Sequence, residues 1–465
     1  MDEKTRARIE SLQSTSTEMD RSISLFGASN ILIGIMVGSG VFYIGSYVFQ
    51  RTANSELLAI LSWVIGGIVT LISGLCFGEL GAMFPRAGGT YVYLREAYGR
   101  PLAFANVISN FLIGSPASIA GVALAFVMRM QAFVPIDDFT GKIIAIVAII
   151  LFTILHYFGV RQGSRFNSAL TVIKVIPIIV ILFAGFILGG ASPNFSTGGL
   201  LPDGSAPSLP KLFSMIAFAV VATQWAYEGW TNLNVVGEEI VEPKRNIPLA
   251  IILSVISVTI LYTFFNLAIY RVLPYEEVLT RVTGGDVFLG TAVSGRVFGK
   301  IGETLVALAM VLSMLGSLNA MIMVFPRSYY AMARDGIFFS KVGTLNPKTK
   351  VPTVSLFLSS FVSIILVFLR NLDQLTSLVI FSGLILNALA FASVFVLRAK
   401  YPDINRPYKV WGYPFVPAIA ILINVALAIN TFIMDIQTSV ISTTIIVGAV
   451  VLYYCIPNFR RGENK

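Results

Sequence analysis

Long apolar runs separated by short polar segments repeat along almost the whole chain. A helix needs roughly 20 mostly apolar residues to cross about 30 Å of hydrocarbon. Runs of this kind cover residues 24–49, 57–83, 101–131, 141–159, 166–190, 212–240, 247–273, 301–333, 353–370, 374–399, 414–434 and 438–457. The pattern predicts an all-α membrane protein with twelve transmembrane helices, here called spans 1 to 12. Its least marked boundaries are the split at Arg370–Asp373 and the hairpin near Asp435.

The composition agrees with lipid as the main solvent. Hydrophobic residues make up 56% of the chain and charged residues 12%, whereas about a quarter of an average soluble protein is charged. The net charge of +9 does not indicate a nucleic-acid partner, because the basic residues form no stripe interleaved with exposed aromatics. They lie in the short segments between apolar runs. We therefore expect membrane lipid around the protein and no nucleic acid bound to it.

The basic residues instead predict how the chain is oriented in the membrane. Cytoplasmic loops carry an excess of Lys and Arg. With the N-terminus inside, 23 of the 33 Lys and Arg residues fall on the cytoplasmic side and nine on the outer side. This bias predicts a cytoplasmic N-terminal segment, residues 1–23, and a cytoplasmic tail, residues 458–465. We expect a multi-pass protein of the plasma membrane.

Residue types that carry catalysis or bind cofactors are sparse in the sequence. The two cysteines, Cys76 and Cys455, lie inside apolar runs without metal-ligand neighbours, and His156 is the only histidine. We expect no disulfide, no metal site and no cofactor, and a packing role for His156. A phosphate-binding loop of the GxxxxGK[ST] type is missing, as is a recognisable nucleophile–base pair. These observations argue against an enzyme and against an ATP-driven pump.

Spans 1 and 6 contain residues that weaken a helix near its middle. Span 1 has glycines at Gly34, Gly38 and Gly40. Glycines spaced in this way also occur at close helix contacts in membranes, but two glycines around one serine favour an interruption. Span 6 has Trp225 to Asn232, reading WAYEGWTN, about 13 residues past the start of the run at Leu212. That depth argues against an interfacial aromatic belt.

The two interruptions occupy corresponding positions in two five-helix halves. Residues 24–190 hold spans 1–5 and residues 212–399 hold spans 6–10, with a Gly-, Pro- and Ser-rich connection at 191–211. Paired interruptions of this kind are the best sequence indication of a transporter binding site. Free N–H groups at a helix end suit a carboxylate, and carbonyl groups suit an ammonium group. The chemistry fits an amino-acid zwitterion.

Five stretches resemble the amino acid–polyamine–organocation superfamily, and within it the L-amino-acid transporter family. They are GIMVGSGVF (34–42), FPRAGGTYVYLREAYG (84–99), WAYEGWTNLNVVGEEI (225–240), GSLNAMIMVFPRSYYAMARDG (316–336) and NRPYKV (405–410). The likeness covers nearly the whole chain. It implies a five-plus-five inverted repeat with broken helices 1 and 6, and spans 11 and 12 (414–457) as an addition. It also implies alternating access and, commonly, exchange of one amino acid for another.

The resemblance also assigns substrate-binding residues in spans 1 and 8. Gly38, Ser39 and Gly40 are expected to offer backbone donors to the substrate carboxylate. Ile35 is expected to face the amino group, and Asn319 matches a polar position of span 8 near the site.

In span 6 the resemblance assigns the other half of the site. The carbonyl groups of Trp225, Ala226 and Glu228 are expected to face the amino group, and Tyr227 and Gly229 belong to the same binding segment. Trp225 also matches the position of an aromatic gate over the substrate. Many members of the family have glycine or another small residue where this chain has Glu228. An acid there favours cationic substrates or belongs to a structural network, and we expect small or medium neutral amino acids.

Lys174 is expected to act in coupling or gating. It lies about eight residues into span 5, where a lysine costs on the order of 2.5–3.5 kcal/mol on insertion scales. Snorkelling to the cytoplasmic interface is the alternative. The resemblance places Lys174 where sodium-coupled relatives hold a sodium ion, which implies sodium-independent transport, with proton linkage left open.

Two further expectations concern partners. Animal members of the family join an ancillary glycoprotein through a cysteine between spans 3 and 4, and segment 129–142 has none. We therefore expect no covalent ancillary subunit. Glu79, at the inner end of span 2, is expected to pair with a loop arginine such as Arg86 or Arg95. The rival functions are a channel or receptor and an intramembrane enzyme. The sequence lacks the pore-lining rings that a channel needs.

Overall fold

The computed structural model describes residues 23–85, 89–158, 175–196, 205–334, 336, 338–349 and 351–455. Regular secondary structure in these ranges is helical, apart from one isolated parallel bridge between Ile23 and Ile240. The helices are α1 Leu25–Met36, α2 Ile44–Arg51, α3 Glu56–Met83, α4 Thr90–Tyr98, α5 Arg100–Ser109, α6 Ser115–Met130, α7 Asp138–Tyr157, α8 Val175–Phe183, α9 Leu209–Tyr227, α10 Pro243–Val272, α11 Tyr275–Thr283, α12 Leu289–Arg334, α13 Thr353–Leu369, α14 Leu372–Lys400, α15 Phe415–Met434 and α16 Ile436–Cys455.

Nine helices within these ranges are long and apolar enough to cross a membrane. Three shorter apolar helices, Leu25–Met36, Val175–Leu188 and Thr353–Leu369, lie where spans 1, 5 and 9 were predicted. Val175–Leu188 includes a final π-helical turn, and a similar turn, Asn110–Gly114, joins α5 to α6. The protein is thus a helical multi-pass membrane protein.

The two least marked boundaries are present as predicted. The α13 helix ends at Leu369, and α14 begins at Leu372 behind a capping box in which Asn371 and Gln374 satisfy each other's backbone N–H groups. Asp435 separates α15 from α16. Span 8, by contrast, belongs to a longer helix than predicted. The α12 helix already begins at Leu289, and Gly299, with φ of 65°, kinks it just before the predicted membrane run.

The α3 helix packs closely against α9 and α10 because it carries glycines on the contacting face. A Cβ atom at Gly66 would collide with Thr223 of α9, and one at Gly67 would collide with Thr259 of α10. Small residues of this kind allow helix backbones to approach within a membrane. The close packing places the middle of α10 directly behind the interruptions of spans 1 and 6.

Candidate functional site

The interruption predicted in span 1 is present. The α1 helix ends at Met36, residues 37–39 are not helical, a single 3₁₀ turn covers Gly40–Phe42, and α2 begins at Ile44. The Gly38 N–H donates to Met36 O over 2.7 Å, and the N–H groups of Phe42 and Tyr43 donate back to Ser39 and Gly40. The carbonyl groups of Met36, Ser39 and Gly40 therefore accept local hydrogen bonds, and the Gly38 N–H is not a free donor in this state.

The interruption predicted in span 6 is also present. The α9 helix ends at Tyr227, Glu228 is extended, and Gly229 has φ of 115°, a conformation that favours glycine. A 3₁₀ segment, Trp230–Glu239, follows. Ten residues are long for a 3₁₀ helix, because its hydrogen-bond geometry is poorer than that of an α-helix. Such backbone is tolerated at membrane depth only where protein or a cavity surrounds it.

The two interruptions touch each other at Gly40. A Cβ atom there would lie 3.0 Å from Trp225 Cδ1 and 3.2 Å from Ala226 Cα, which is tighter than ordinary packing. The indole N–H of Trp225 donates to the Tyr43 hydroxyl over 2.6 Å. Gly40 therefore permits a close backbone approach, and the Trp225–Tyr43 hydrogen bond joins the two interruptions on one side.

Tyr262 of α10 joins the same interruptions from behind. Its hydroxyl lies 2.7 Å from Met36 O at the end of α1 and 3.0 Å from Ala226 O near the end of α9. The sequence analysis did not single out Tyr43 or Tyr262. A tyrosine inside a span is a usable signal, because its buried hydroxyl must find a hydrogen-bond partner.

The predicted residues of span 6 divide into two environments. Tyr227 is fully buried, packs against Trp63 and Tyr262, and donates its hydroxyl to Trp63 O over 2.8 Å. Glu228 is exposed although its neighbours Tyr227 and Gly229 are buried, and its carboxylate has no cationic partner within the described ranges. Tyr227 therefore supports the interruption by packing, while Glu228 faces accessible space.

The predicted residues of spans 1 and 8 are placed as follows. Ser39 is buried and Ile35 is 43% exposed. Asn319 is fully buried, and His156 Nε2 lies 2.9 Å from its Oδ1 and 3.1 Å from its main-chain oxygen, so Nε2 is the donor. The span-8 side chain beside the interruption is Ser317, whose Oγ would lie 3.8 Å from a Cβ at Gly38. Asn319 itself is turned towards span 4.

Within the described residues Glu79 pairs with Arg398 and, over 3.8 Å, with Arg406 of the segment after α14, and not with the predicted Arg95. Arg398, at the far end of α14, donates from Nε and Nη2 to the two Glu79 oxygens over 2.9 and 2.6 Å. Arg95 instead donates to Glu96 over 3.0 Å, and Arg86 lies outside the described residues. Arg398 is 319 positions from Glu79 in the chain, so the packing of the helices, and not the local sequence, determines this pairing.

Arg51 joins spans 1, 6 and 10 on the side that the sequence predicts to face outward. Its guanidinium donates to Asp373 Oδ1 over 2.9 Å, to Ser377 Oγ over 3.2 Å and to Phe218 O over 3.1 Å. It also lies 4.0 Å from the centre of the Phe218 ring. Between Arg51 and Trp225 a small gap remains, walled by the inner faces of α9 and α14. The ion pair and the ring contact hold the helices together on this side of the interruptions.

Two remaining predictions concern coupling and metal binding. Lys174 lies outside the described residues, so its predicted role in coupling or gating stays a prediction. In the part of the chain that the structure describes, His, Cys, Asp and Glu side chains form no group of three that would hold a metal. Cys76 is buried and Cys455 is exposed, and both are free thiols.

Known proteins match the chain along almost its whole length. The family described as "Amino acid permease" matches residues 23–455. The serine/threonine exchanger SteT of Bacillus subtilis is 30% identical over 438 residues, which is 94% of this chain and 97% of that protein. The human cystine/glutamate transporter is 29% identical over 86% of this chain and 78% of its own length. The mouse b(0,+)-type amino acid transporter 1 is 27% identical over 90% and 84%.

These relatives are membrane transporters, and the helical fold with its paired interruptions agrees with that class. The chain is therefore an amino-acid transporter and not an enzyme, and it belongs to the amino acid permease family of the amino acid–polyamine–organocation superfamily.

Proposed function

We propose that the protein is a sodium-independent exchanger of small or medium neutral L-amino acids that works by alternating access in the plasma membrane. The observation that carries this proposal is the contact between the two interruptions, in which Gly40 lies against Trp225 and Ala226. A site made from two broken helices can bind both charged ends of a zwitterion with main-chain groups. The bacterial serine/threonine exchanger supports small neutral substrates.

The packing of the helices supports a five-plus-five inverted repeat. Helix α10 of span 7 packs on α1 of span 1, and α3 of span 2 packs on α9 of span 6. In an inverted repeat spans 1 and 6 are equivalent, as are spans 2 and 7, so these two contacts correspond to each other. The contacts of α6 with α14, spans 3 and 10, correspond in the same way to those of α12 with α8, spans 8 and 5. Two related halves that rock against each other around a central site would give alternating access.

Within the site, the N–H groups of Ser39 and Gly40 would bind the substrate carboxylate. The positive end of the short helix that follows them supports this assignment. The carbonyl group of Glu228 would bind the amino group, together with the second lone pair of Trp225 O, which already accepts from the Glu228 N–H over 3.3 Å. Ala226 O would contribute less to binding the amino group, because the Tyr262 hydroxyl already lies within hydrogen-bond distance, at 3.0 Å. Ser317 takes the span-8 position beside Gly38, in addition to the predicted Asn319.

The described state would be closed to the outside. Arg51 fastens the outer ends of three spans, and Trp225 lies beneath it. Glu228 and Ile35 remain accessible. The excess of Lys and Arg on the predicted inner side supports cytoplasmic termini, so the accessible side would be cytoplasmic. Lys174 in place of a sodium ion, and the absence of a covalent ancillary subunit, remain part of the proposal.

Glu228 supports a second candidate, exchange of cationic amino acids. An accessible carboxylate at the amino-group end of the site, without a cationic partner in the described ranges, suits a substrate with a second positive charge. Proton-coupled symport is the other alternative, with Lys174 as the titrating group.

Uptake by proteoliposomes of purified protein tests the substrate class. Internal serine is supplied, and radiolabelled small neutral, large neutral and cationic amino acids are compared outside. The proposal expects serine, threonine or alanine to enter fastest. Preferred uptake of lysine or arginine would replace it with the cationic candidate. No uptake of any amino acid above that of protein-free liposomes would contradict both.

A further inference from the structure

The segment between α14 and α15 is held against the inner end of α3. We call residues 401–414 the strap. The Glu79 carboxylate is 1% exposed and accepts a hydrogen bond from the strap's Val410 N–H over 2.7 Å. The same carboxylate binds Arg398, whose guanidinium lies 3.7 Å from the centre of the Tyr413 ring. A main-chain contact and a ring contact therefore fix the strap in one orientation.

The strap has one face on the protein and one face away from it. Val410 is 4% exposed, and Gly78 leaves room for Tyr408, whose Cε1 would lie 3.2 Å from a Cβ there. On the other face Lys409 is exposed and Trp411 is 79% exposed. One exposed apolar side chain is ordinary, but Trp411 is followed at alternate positions by Tyr413, 39% exposed, and Phe415, 72% exposed. Neighbouring exposed aromatic side chains of this kind indicate an interaction surface.

The position of the strap indicates a membrane as the partner. It joins two helices that are long and apolar enough to cross a membrane, α14 ending at Lys400 and α15 beginning at Phe415. The strap therefore lies where the chain leaves the hydrocarbon. Tryptophan and tyrosine are enriched at that level of a bilayer. Phe415, 72% exposed, continues the outward face towards the hydrocarbon.

The charge around the strap selects anionic lipid over a second copy of the chain. Arg398 and Arg406 share the buried Glu79 carboxylate, and the exposed Lys400 and Lys409 outnumber the exposed Asp403, which leaves a net positive surface. A two-fold contact would bring the same positive surface of a second copy against this one. Lipid phosphate groups are complementary to it, and anionic lipids concentrate in the cytoplasmic leaflet, where the Lys and Arg distribution places the strap.

We propose that the strap is a binding site for the headgroup of an anionic phospholipid. The Lys409 ammonium group contacts the phosphate, and Trp411 inserts at the boundary between headgroups and acyl chains. The site is independent of the amino-acid site, because none of its residues contributes to either interruption. It fastens spans 10 and 11 to the inner surface of the membrane.

Tryptophan fluorescence tests this site directly. The chain has four tryptophans, and Trp63, Trp225 and Trp230 are 0%, 7% and 4% exposed, so lipid-borne quenchers report mainly on Trp411. The protein is reconstituted in phosphatidylcholine with a minor share of brominated phosphatidylglycerol or, in parallel, brominated phosphatidylcholine. Trp411→Phe identifies the signal. Lys409→Gln tests the headgroup contact, and Lys341→Gln, an exposed lysine of another predicted cytoplasmic segment, is the matched control.

The proposal expects stronger quenching by brominated phosphatidylglycerol than by brominated phosphatidylcholine. This preference should fall about fivefold in Lys409→Gln, the effect of one basic residue at an anionic surface, and should persist in Lys341→Gln. Equal quenching by both lipids would overturn headgroup recognition. Absence of quenching by either would show that the strap faces water or protein, which also overturns the proposal.

Discussion

The hydroxyl of Tyr262 lies 3.0 Å from the main-chain oxygen of Ala226, in the last turn of the helix before the second interruption. The same hydroxyl lies 2.7 Å from Met36 O, where the helix before the first interruption ends. One side chain of α10 thus contacts both helix ends whose separation defines the candidate site. We expect a residue in this position to set the distance between the two halves of the site.

Tyr262→Phe removes the hydroxyl and keeps the ring that packs on Trp63 and Tyr227. Stranding a buried hydrogen-bonding group costs about 1–3 kcal/mol, so we expect roughly tenfold slower exchange with normal expression. Initial-rate uptake in proteoliposomes measures this. Tyr270→Phe, on the same helix, is the control, because the Tyr270 hydroxyl makes no hydrogen bond in the described part of the chain. An exchange rate in Tyr262→Phe equal to that of Tyr270→Phe and of the unsubstituted protein would show that the Tyr262 hydroxyl does not position the site.

Trp225 and Tyr43 should act as a pair. Trp225→Phe and Tyr43→Phe each remove the 2.6 Å hydrogen bond, so the double variant should lose no more activity than the worse single variant. Trp225→Ala also removes the ring and should impair exchange most. Trp230→Phe, which keeps an aromatic ring near Phe77, serves as the control. Unchanged apparent affinity and rate in Trp225→Ala would rule out a gating role.

Glu228 should influence which substrate charge is preferred. Glu228→Gln removes the charge at nearly constant volume and should lower uptake of cationic relative to neutral amino acids by about tenfold, as expected for one charge-assisted hydrogen bond. Competition by lysine and alanine against labelled serine measures the ratio. Glu276→Gln alters an exposed acid in the short helix α11, away from both interruptions, and should leave the ratio unchanged. An identical profile in Glu228→Gln would make Glu228 a structural residue.

Asp373→Asn should loosen the outer closure by weakening the 2.9 Å contact with Arg51. A cysteine at Ala222, in the gap beneath Arg51, should then react faster with an impermeant thiol reagent added outside. The background needs Cys455→Ser, because that thiol is exposed. Asp138→Asn, which breaks the exposed pair with Lys142, is the control. Equal labelling rates with and without Asp373→Asn would show that the ion pair does not hold the closure.

Lys174→Ala should reduce transport far more than surface expression, if the ammonium group replaces a sodium ion beside span 1. Burying a lysine at helix centre costs on the order of 2.5–3.5 kcal/mol. An apolar residue would avoid that cost, so a lysine there indicates a role in transport. Lys142→Ala, near the N-terminus of α7, controls for loss of a lysine. Wild-type turnover in Lys174→Ala would exclude the residue from the mechanism.

Features that depend on composition and local pattern were predictable. Lipid solvation selects long apolar runs, and the interruptions follow from residues such as Gly40 and Gly229, which tolerate close approach or positive φ. The kinked extension of α12 before Gly299 was missed, because hydropathy marks the membrane run and not the part of a helix outside it.

Features that depend on packing between distant segments were not predictable. Arg95 was the wrong candidate partner for Glu79, because Arg398 reaches the carboxylate through the arrangement of α3 and α14. Tyr43 and Tyr262 gain their roles only because the two interruptions meet: Trp225 bonds to Tyr43, and Tyr262 contacts both Met36 and Ala226, which are 190 positions apart in the chain. Asn319 was chosen by motif, and helix rotation turns it towards His156 while Ser317 faces Gly38.

Trans-stimulated uptake is the measurement that tests the central claim most directly. Proteoliposomes loaded with unlabelled serine, or left empty, are given labelled serine outside in sodium-containing or sodium-free buffer without a proton gradient. An exchanger built on the joined interruptions should take up serine only into loaded vesicles and equally well in both buffers. Rapid accumulation in empty vesicles that requires sodium or an imposed proton gradient would contradict the account and make the protein a coupled symporter.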